Sequence, residues 1–152
     1  MARVMAVGVF DLLHAGHLHY LEQSKSLGEE LVVVVAHDDT VRSQKHEPVT
    51  NHDLRCRMVR GLKPVDDAIV GNPPGTPIFD ILKVVEPDII ALGYDQKHSI
   101  DSIRSGLDSH GYSDVQLTRV EGLSDDLDGT RKIIARILDL WPNSEGGPYE
   151  ED

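Results

Sequence analysis

Two histidines three residues apart, His14 and His17, with Gly16 between them, are the residues of this chain best placed to do chemistry. They close the segment Gly8-Val-Phe-Asp-Leu-Leu-His-Ala-Gly-His, which begins inside an apolar run. A spacing of three puts both imidazoles on one side of a helix start, and Gly16 removes a side chain that would block an approaching ligand. The helix N-terminus adds unpaired amides and the positive end of its dipole. Imidazoles and dipole together make a phosphate site. The plainer reading, with His14 only a cap and His17 only a half-buried packing residue, explains each histidine singly but not the constellation. A zinc site from His14, His17 and His19 is disfavoured, because residues two apart on a helix diverge and no thiolate joins them.

Such a loop works only if a sheet presents it. Apolar runs of strand length recur at 4–9, 31–36, 68–70, 89–92 and 115–120, separated by stretches of helical spacing. The second run lacks polar alternation, as a parallel strand covered on both faces would. The first connecting helix carries Leu13, His17, Tyr20, Leu21, Ser24 and Leu27 on one face, with Gly28 as its expected stop. Further helices are predicted at about 53–62, 77–85, 100–110 and 130–140, and the proline-rich stretch 72–77 as a loop. The pattern predicts a Rossmann-like three-layer α/β/α domain with a five-stranded parallel sheet over 1–141. Residues 142–152 form an acidic tail. Open parallel sheets bind ligands beyond the carboxyl ends of their strands, where strand order reverses, so 8–17 and 93–98 are the loops of interest.

The chain has 152 residues, enough for one core, and 39% hydrophobic against 27% charged residues marks a globular protein rather than a disordered one. A net charge of −11 disfavours binding to nucleic acid or anionic lipid. Between Arg42 and Lys63, however, six bases (Arg42, Lys45, Arg55, Arg57, Arg60, Lys63) face only two acids, Glu47 and Asp53, and an anionic ligand would be tolerated there. The longest apolar run, Leu31 to Ala36, is far short of the ~20 residues of a membrane span, and no signal-peptide pattern is present. The single cysteine, Cys56, forms no intramolecular disulfide and reads as packing; with the other features it points to the cytoplasm.

The segment ending in His14-Ala-Gly16-His17 resembles the signature of the cytidylyltransferase-like branch of the nucleotidylyltransferase superfamily. The likeness continues through Tyr20-Leu-Glu-Gln-Ser-Lys-Ser-Leu-Gly28, the stretch ending His37-Asp-Asp-Thr-Val41, Lys63-Pro-Val-Asp66 and Pro87-Asp-Ile-Ile-Ala-Leu-Gly-Tyr-Asp-Gln96, about residues 2–141 in all. Within the branch these blocks are most similar to the archaeal FAD synthases. The resemblance implies transfer of AMP from ATP to FMN with a divalent cation, most simply Mg²⁺, held by the triphosphate. It implies small-molecule substrates, no nucleic acid or membrane partner, and a homodimer of the kind such relatives often form.

On this resemblance His14, His17, Lys45 and Arg131 serve the transferring phosphates. Gly8, Val9, Phe10, Asp11, Gly16, Gly93, Tyr94, Asp95, Arg119 and Thr130 hold the nucleotide, with Asp95 at the ribose or base edge and adjoining backbone reading the base. Arg55 would meet the acceptor phosphate. The chain departs from the pattern at Val9, where a Thr is often found, and at 124–132, where a compact hydroxyl pair gives way to an acidic stretch and the role passes to Thr130. Aromatic residues near the expected site loops are Tyr94, Tyr112 and Phe10. Two other readings use the same motif: a cytidylyltransferase acting on CTP and a small alcohol phosphate such as glycerol 3-phosphate, and a nucleotide-binding regulator with little turnover.

Overall fold

Both faces of the second strand are covered by helices, which is why its valines run without polar interruption. In the computed structural model, which describes residues 2–44, 46–93, 100–123 and 129–141, five strands form one parallel sheet. They are β1 (Arg3–Gly8), β2 (Glu30–Val35), β3 (Asp67–Val70), β4 (Ile89–Leu92) and β5 (Gln116–Arg119). Their order is β3-β2-β1-β4-β5. The helices are α1 (Ala15–Lys25), α2 (Asp38–Gln44), α3 (His52–Arg60), α4 (Ile81–Val85), α5 (Ile100–Ser109) and α6 (Thr130–Leu140).

Alternation along the strands divides the core in two. Val4, Ala6, Leu31, Val33, Val35, Ala68 and Ala91 point to one face and pack under Leu21 of α1 and Cys56 and Val59 of α3. Met5, Val32, Val34, Ile90 and Leu92 point to the other, under Leu82 and Val85 of α4 and Leu107 of α5. The expected three-layer α/β/α arrangement is therefore present.

Three local expectations change. Asp38–Gln44 forms a short helix that its polar sequence did not announce; burial of Val41 and Asp38 holds it. The helix expected over 77–85 divides into a 3₁₀ turn at Ile78–Asp80 and α4, which ends at Glu86 in a left-handed conformation. Gly28 lies past the Ser26 cap, and its service is close approach: a Cβ there would meet the Ala2 carbonyl oxygen at 2.7 Å. The acidic tail expected over 142–152 lies outside the described residues.

The position of β4 creates the crevice in which a ligand can sit. The chain winds outward from β1 through β2 to β3, then crosses back to place β4 on the other side of β1. Strand order reverses between β1 and β4, and the crevice opens there beyond their carboxyl ends.

Leu21, fully buried between α1 and the sheet, provides the check on this packing. Leu21→Ala is expected to lower unfolding free energy by about 2–5 kcal/mol, through lost transfer energy and the cavity left behind. Urea denaturation should show a lower midpoint with an unchanged slope.

Candidate active site

An α-helix begins with amides that have no partner within the helix, and α1 satisfies them with imidazole. His14 is its N-cap, in extended conformation, and its Nδ1 accepts from the amides of Gly16 (3.0 Å) and His17 (3.3 Å). The His17 ring turns back, and its Nδ1 accepts from the His14 amide at 3.3 Å. This is a capping box in which histidines replace the usual hydroxyl and carboxylate. A nitrogen that accepts from an amide carries no proton, so each neutral ring holds its proton on Nε2. The rings stack with centroids 3.7 Å apart and planes 24° apart, so two Nε2–H donors sit side by side near the positive end of α1.

Beneath them Phe10 is 2% exposed and packs on His17 (centroids 5.3 Å) and Tyr20 (6.4 Å). Its ring lies back over the end of β1, where a Cβ on Gly8 would come within 2.9 Å of it. Tyr20 marks the crevice: its hydroxyl donates to the Ala91 carbonyl at 2.6 Å and accepts from the Val7 amide at 3.2 Å. Pairing between β1 and β4 extends to Ala6 and Ala91, so the hydroxyl bridges the strands where they part.

Three more expected residues gather at this edge. Gly93 follows β4, and its carbonyl accepts from Arg119, the last residue of β5, at 2.8 Å. Thr130 opens α6 and its hydroxyl donates to the Asp11 carbonyl at 3.1 Å. Thr130 thus meets the histidine loop, while Gly93 and Arg119 bond to each other at the carboxyl ends of β4 and β5.

A cytidylyltransferase-like family model matches residues 5–118. The chain belongs to the cytidylyltransferase-like family. It is 48% identical over 140 residues to an FAD synthase of Aciduliprofundum boonei, covering 91% of this chain and 92% of that one. To an FAD synthase of Thermococcus onnurineus it is 46% identical over 141 residues, covering 91% and 93%. A solved structure of a Thermoplasma volcanium protein described as a lipopolysaccharide core biosynthesis protein superposes with a TM-score of 0.77 at 44% identity, covering 82% of this chain and 99% of that one.

The structure puts two of the residues expected to touch ligand to other use. Arg55, expected at the acceptor phosphate, is 1% exposed. It donates to the carbonyls of Val9 (2.7 Å) and Thr50 (2.8 Å) and to the Asp38 carboxylate (2.6 Å), and so holds the family motif from behind. Asp11, expected among the nucleotide contacts, is 5% exposed, and its carboxylate accepts from the Val49 amide (2.6 Å), the Thr50 amide (3.1 Å) and the Thr50 hydroxyl (2.7 Å). Both side chains face inward because a buried charge needs partners, and the nearby backbone provides them.

The aromatic candidates change as well. Phe10 is core, and Tyr112 lines a 380 Å³ cavity with Leu82, Lys83, Glu86 and Pro87, beside the amino end of β4 and away from the site. The basic strip is largely paired: Arg42 binds Asp39 and Glu47, Arg55 binds Asp38, and Arg60 approaches Asp67. Arg131 is exposed in the first turn of α6. Lys45, Tyr94 and Asp95 lie outside the described residues. Tyr20, Asp38 and Thr50 are the site-building residues that sequence reasoning missed; each looks like an ordinary helix-face or loop residue until its partner is known.

Backbone strain accompanies this arrangement. Phe10 and Leu12 have φ of 57° and 55°, unusual for side chains of their size and costing about 1–3 kcal/mol each. Burial alone raises the Asp11 carboxyl, but the Thr50 hydroxyl, the Val49 and Thr50 amides and Arg55 outweigh it and leave it below its ordinary value. Asp38 is likewise raised by burial and lowered further by Arg55 and by its contacts with His52. For Asp66 the Lys25 ammonium and the Leu31 amide prevail over a smaller effect of burial.

A carboxylate with a depressed folded pKa contributes stability that is full above its unfolded value, near 4, and is lost as pH falls through the folded value. Urea midpoints should therefore hold steady from pH 7 to 5 and decline below about pH 4. Asp38→Asn should be less stable at pH 7 and show a shallower decline.

Proposed function

We propose that this protein is an FAD synthase, transferring the adenylyl group of ATP to the phosphate of FMN to give FAD and pyrophosphate. The paired Nε2–H donors of His14 and His17 at the α1 N-terminus carry the reading. A phosphate oxygen of FMN attacks the α-phosphorus of ATP, a new P–O bond forms, and the bond to the oxygen bridging the α- and β-phosphorus breaks. That bond's electron pair departs on pyrophosphate. The attacking phosphate is largely dianionic near neutral pH, its second pKa being about 6, so no base is required. What the step requires is positioning and neutralisation of charge on the α-phosphate and the leaving group. Two preorganised donors on a helix dipole supply both.

Arg131, exposed at the start of α6, is assigned to the leaving pyrophosphate, and Arg119 and Gly93 to the nucleotide edge of the crevice. Lys45, Tyr94, Asp95 and the backbone of the motif complete the proposed contacts. Among the described residues no group of three His, Cys, Asp or Glu side chains is arranged to hold a metal ion. Both oxygens of the motif carboxylate, Asp11, are already accepting hydrogen bonds. We assign the divalent cation to the triphosphate, entering with ATP as substrate.

We place the protein in the cytoplasm. Cys56 is buried, burial pushes its thiol up, and the chain holds no second cysteine. Among the described residues no helix is long and apolar enough to cross a membrane. We also propose a homodimer, which sedimentation equilibrium at micromolar concentration would show as twice the chain mass.

Mass spectrometry of products tests the reaction. Incubation with ATP, FMN and Mg²⁺ should yield FAD and pyrophosphate, whereas CDP-glycerol from CTP and glycerol 3-phosphate as the faster product would overturn the reading. His17→Ala should lower FAD turnover by ~10²–10³, the scale for removing one preorganised donor to developing charge. Loss of the capping box should also cost about 0.5–2 kcal/mol of stability.

A further inference from the structure

The loop that ends in His14 is held in place by residues that do not face the ligand. Asp11 stands between the two left-handed residues, Phe10 and Leu12, so the backbone on either side of it is in a conformation that such residues leave when unrestrained. Ties from three segments oppose that release. The α2–α3 connection supplies the Val49 and Thr50 amides and the Thr50 hydroxyl to the Asp11 carboxylate. From α3, Arg55 donates to the Val9 carbonyl, and at the start of α6 Thr130 donates to the Asp11 carbonyl. Thr50 is the joint between these ties: its amide and hydroxyl donate to Asp11 while its carbonyl accepts from Arg55.

We propose that Asp11 and Thr50 form a latch that positions the two histidines for phosphate transfer, acting through the loop backbone and not on the substrate. The route is short. Asp11 is three residues before His14, whose amide donates to His17 Nδ1 and whose Nδ1 caps α1. Rotation at Leu12 out of the left-handed region would swing the His14 amide and break the reciprocal bonding that aims both Nε2–H groups. A carboxylate at 5% exposure with three donors on it is also unsuited to meet a polyphosphate directly. Its charge is satisfied internally, so the motif's one acid does not repel the substrate.

The inference rests on the FAD synthase reading only for its kinetic readout, and wild-type FAD formation is measured first. Its absence would overturn that reading and leave the latch to be judged by the resonances of the histidines. Thr50→Val removes the hydroxyl and keeps the shape. It is expected to lower kcat by about 10–100-fold, the scale of a displacement near 1 Å in a preorganised group. KM for ATP should stay within about threefold, because binding groups away from the histidines are untouched. Thr50→Ser should restore kcat to within about threefold of wild type, since the serine hydroxyl can make the same bond. Asp11→Asn should also lose turnover, and the double variant should be no worse than the poorer single one, as members of one tie are non-additive. Assays are run well below each variant's melting temperature. In ¹⁵N spectra the Nδ1 resonances of His14 and His17 should lose their acceptor character in Thr50→Val and keep it in Thr50→Ser. A purely structural role would lower melting temperature while leaving kcat and those resonances unchanged. Wild-type kcat with wild-type histidine resonances in Thr50→Val, or equal loss in Thr50→Ser, would overturn the latch.

Discussion

The first turn of α1 needs acceptors for its unpaired amides, and the rest of the site depends on imidazole nitrogens meeting that need. Because Nδ1 of each ring is committed to the backbone, the tautomer, the ring plane and the direction of Nε2 are all consequences of starting the helix. A hydroxyl cap would have satisfied the same amides with nothing left over. Here the capping group has a second nitrogen on its far side, and the proposed mechanism gives that nitrogen the phosphate. Phe10 beneath His17 and the Tyr20 hydroxyl between β1 and β4 keep this turn seated at the crevice.

Electrostatics follow the same economy. A chain of net charge −11 must accept two anionic substrates, and it does not do so with a broad basic surface. Most of the described arginines between 42 and 63 are neutralised by acids around them, and Arg55 is turned inward to carry the loop. The proposed mechanism instead concentrates attraction at a helix terminus and two neutral donors. In the proposed mechanism selectivity for phosphate geometry comes from fixed hydrogen bonds rather than from net charge.

Stability and function overlap most closely at Asp11. Two of the residues whose carboxyls lie below their ordinary range, Asp11 and Asp38, support the loop, Asp38 by pairing with Arg55 and Asp11 through Thr50. The left-handed residues flanking Asp11 show what these contacts oppose. Strain of this kind persists only where the surroundings over-determine the backbone, and the ties from α3, α6 and the α2–α3 connection do so.

By itself the sequence determined the alternation of strands and helices, the two-faced burial of β2 and the histidine pair at a helix start. These are legible because each follows from local spacing: period two in strands, three to four in helices, and residue types that suit a helix terminus. For His14 the capping role is the one seen in the structure, and it leaves Nε2 as the ring nitrogen for the proposed phosphate contact. What the tertiary structure alone decided is which polar side chains are turned inward onto protein partners. Arg55 and Asp11 carry the same charges on either account, and Phe10 is equally aromatic as a stacking surface or as core. The roles of Arg55 and Asp11 are set by partners 17 to 46 residues away, at Asp38, Thr50 and Val9, and by the fate of a buried charge, which must find those partners or stay in water. Long-range pairing of that kind leaves no periodic trace in the chain.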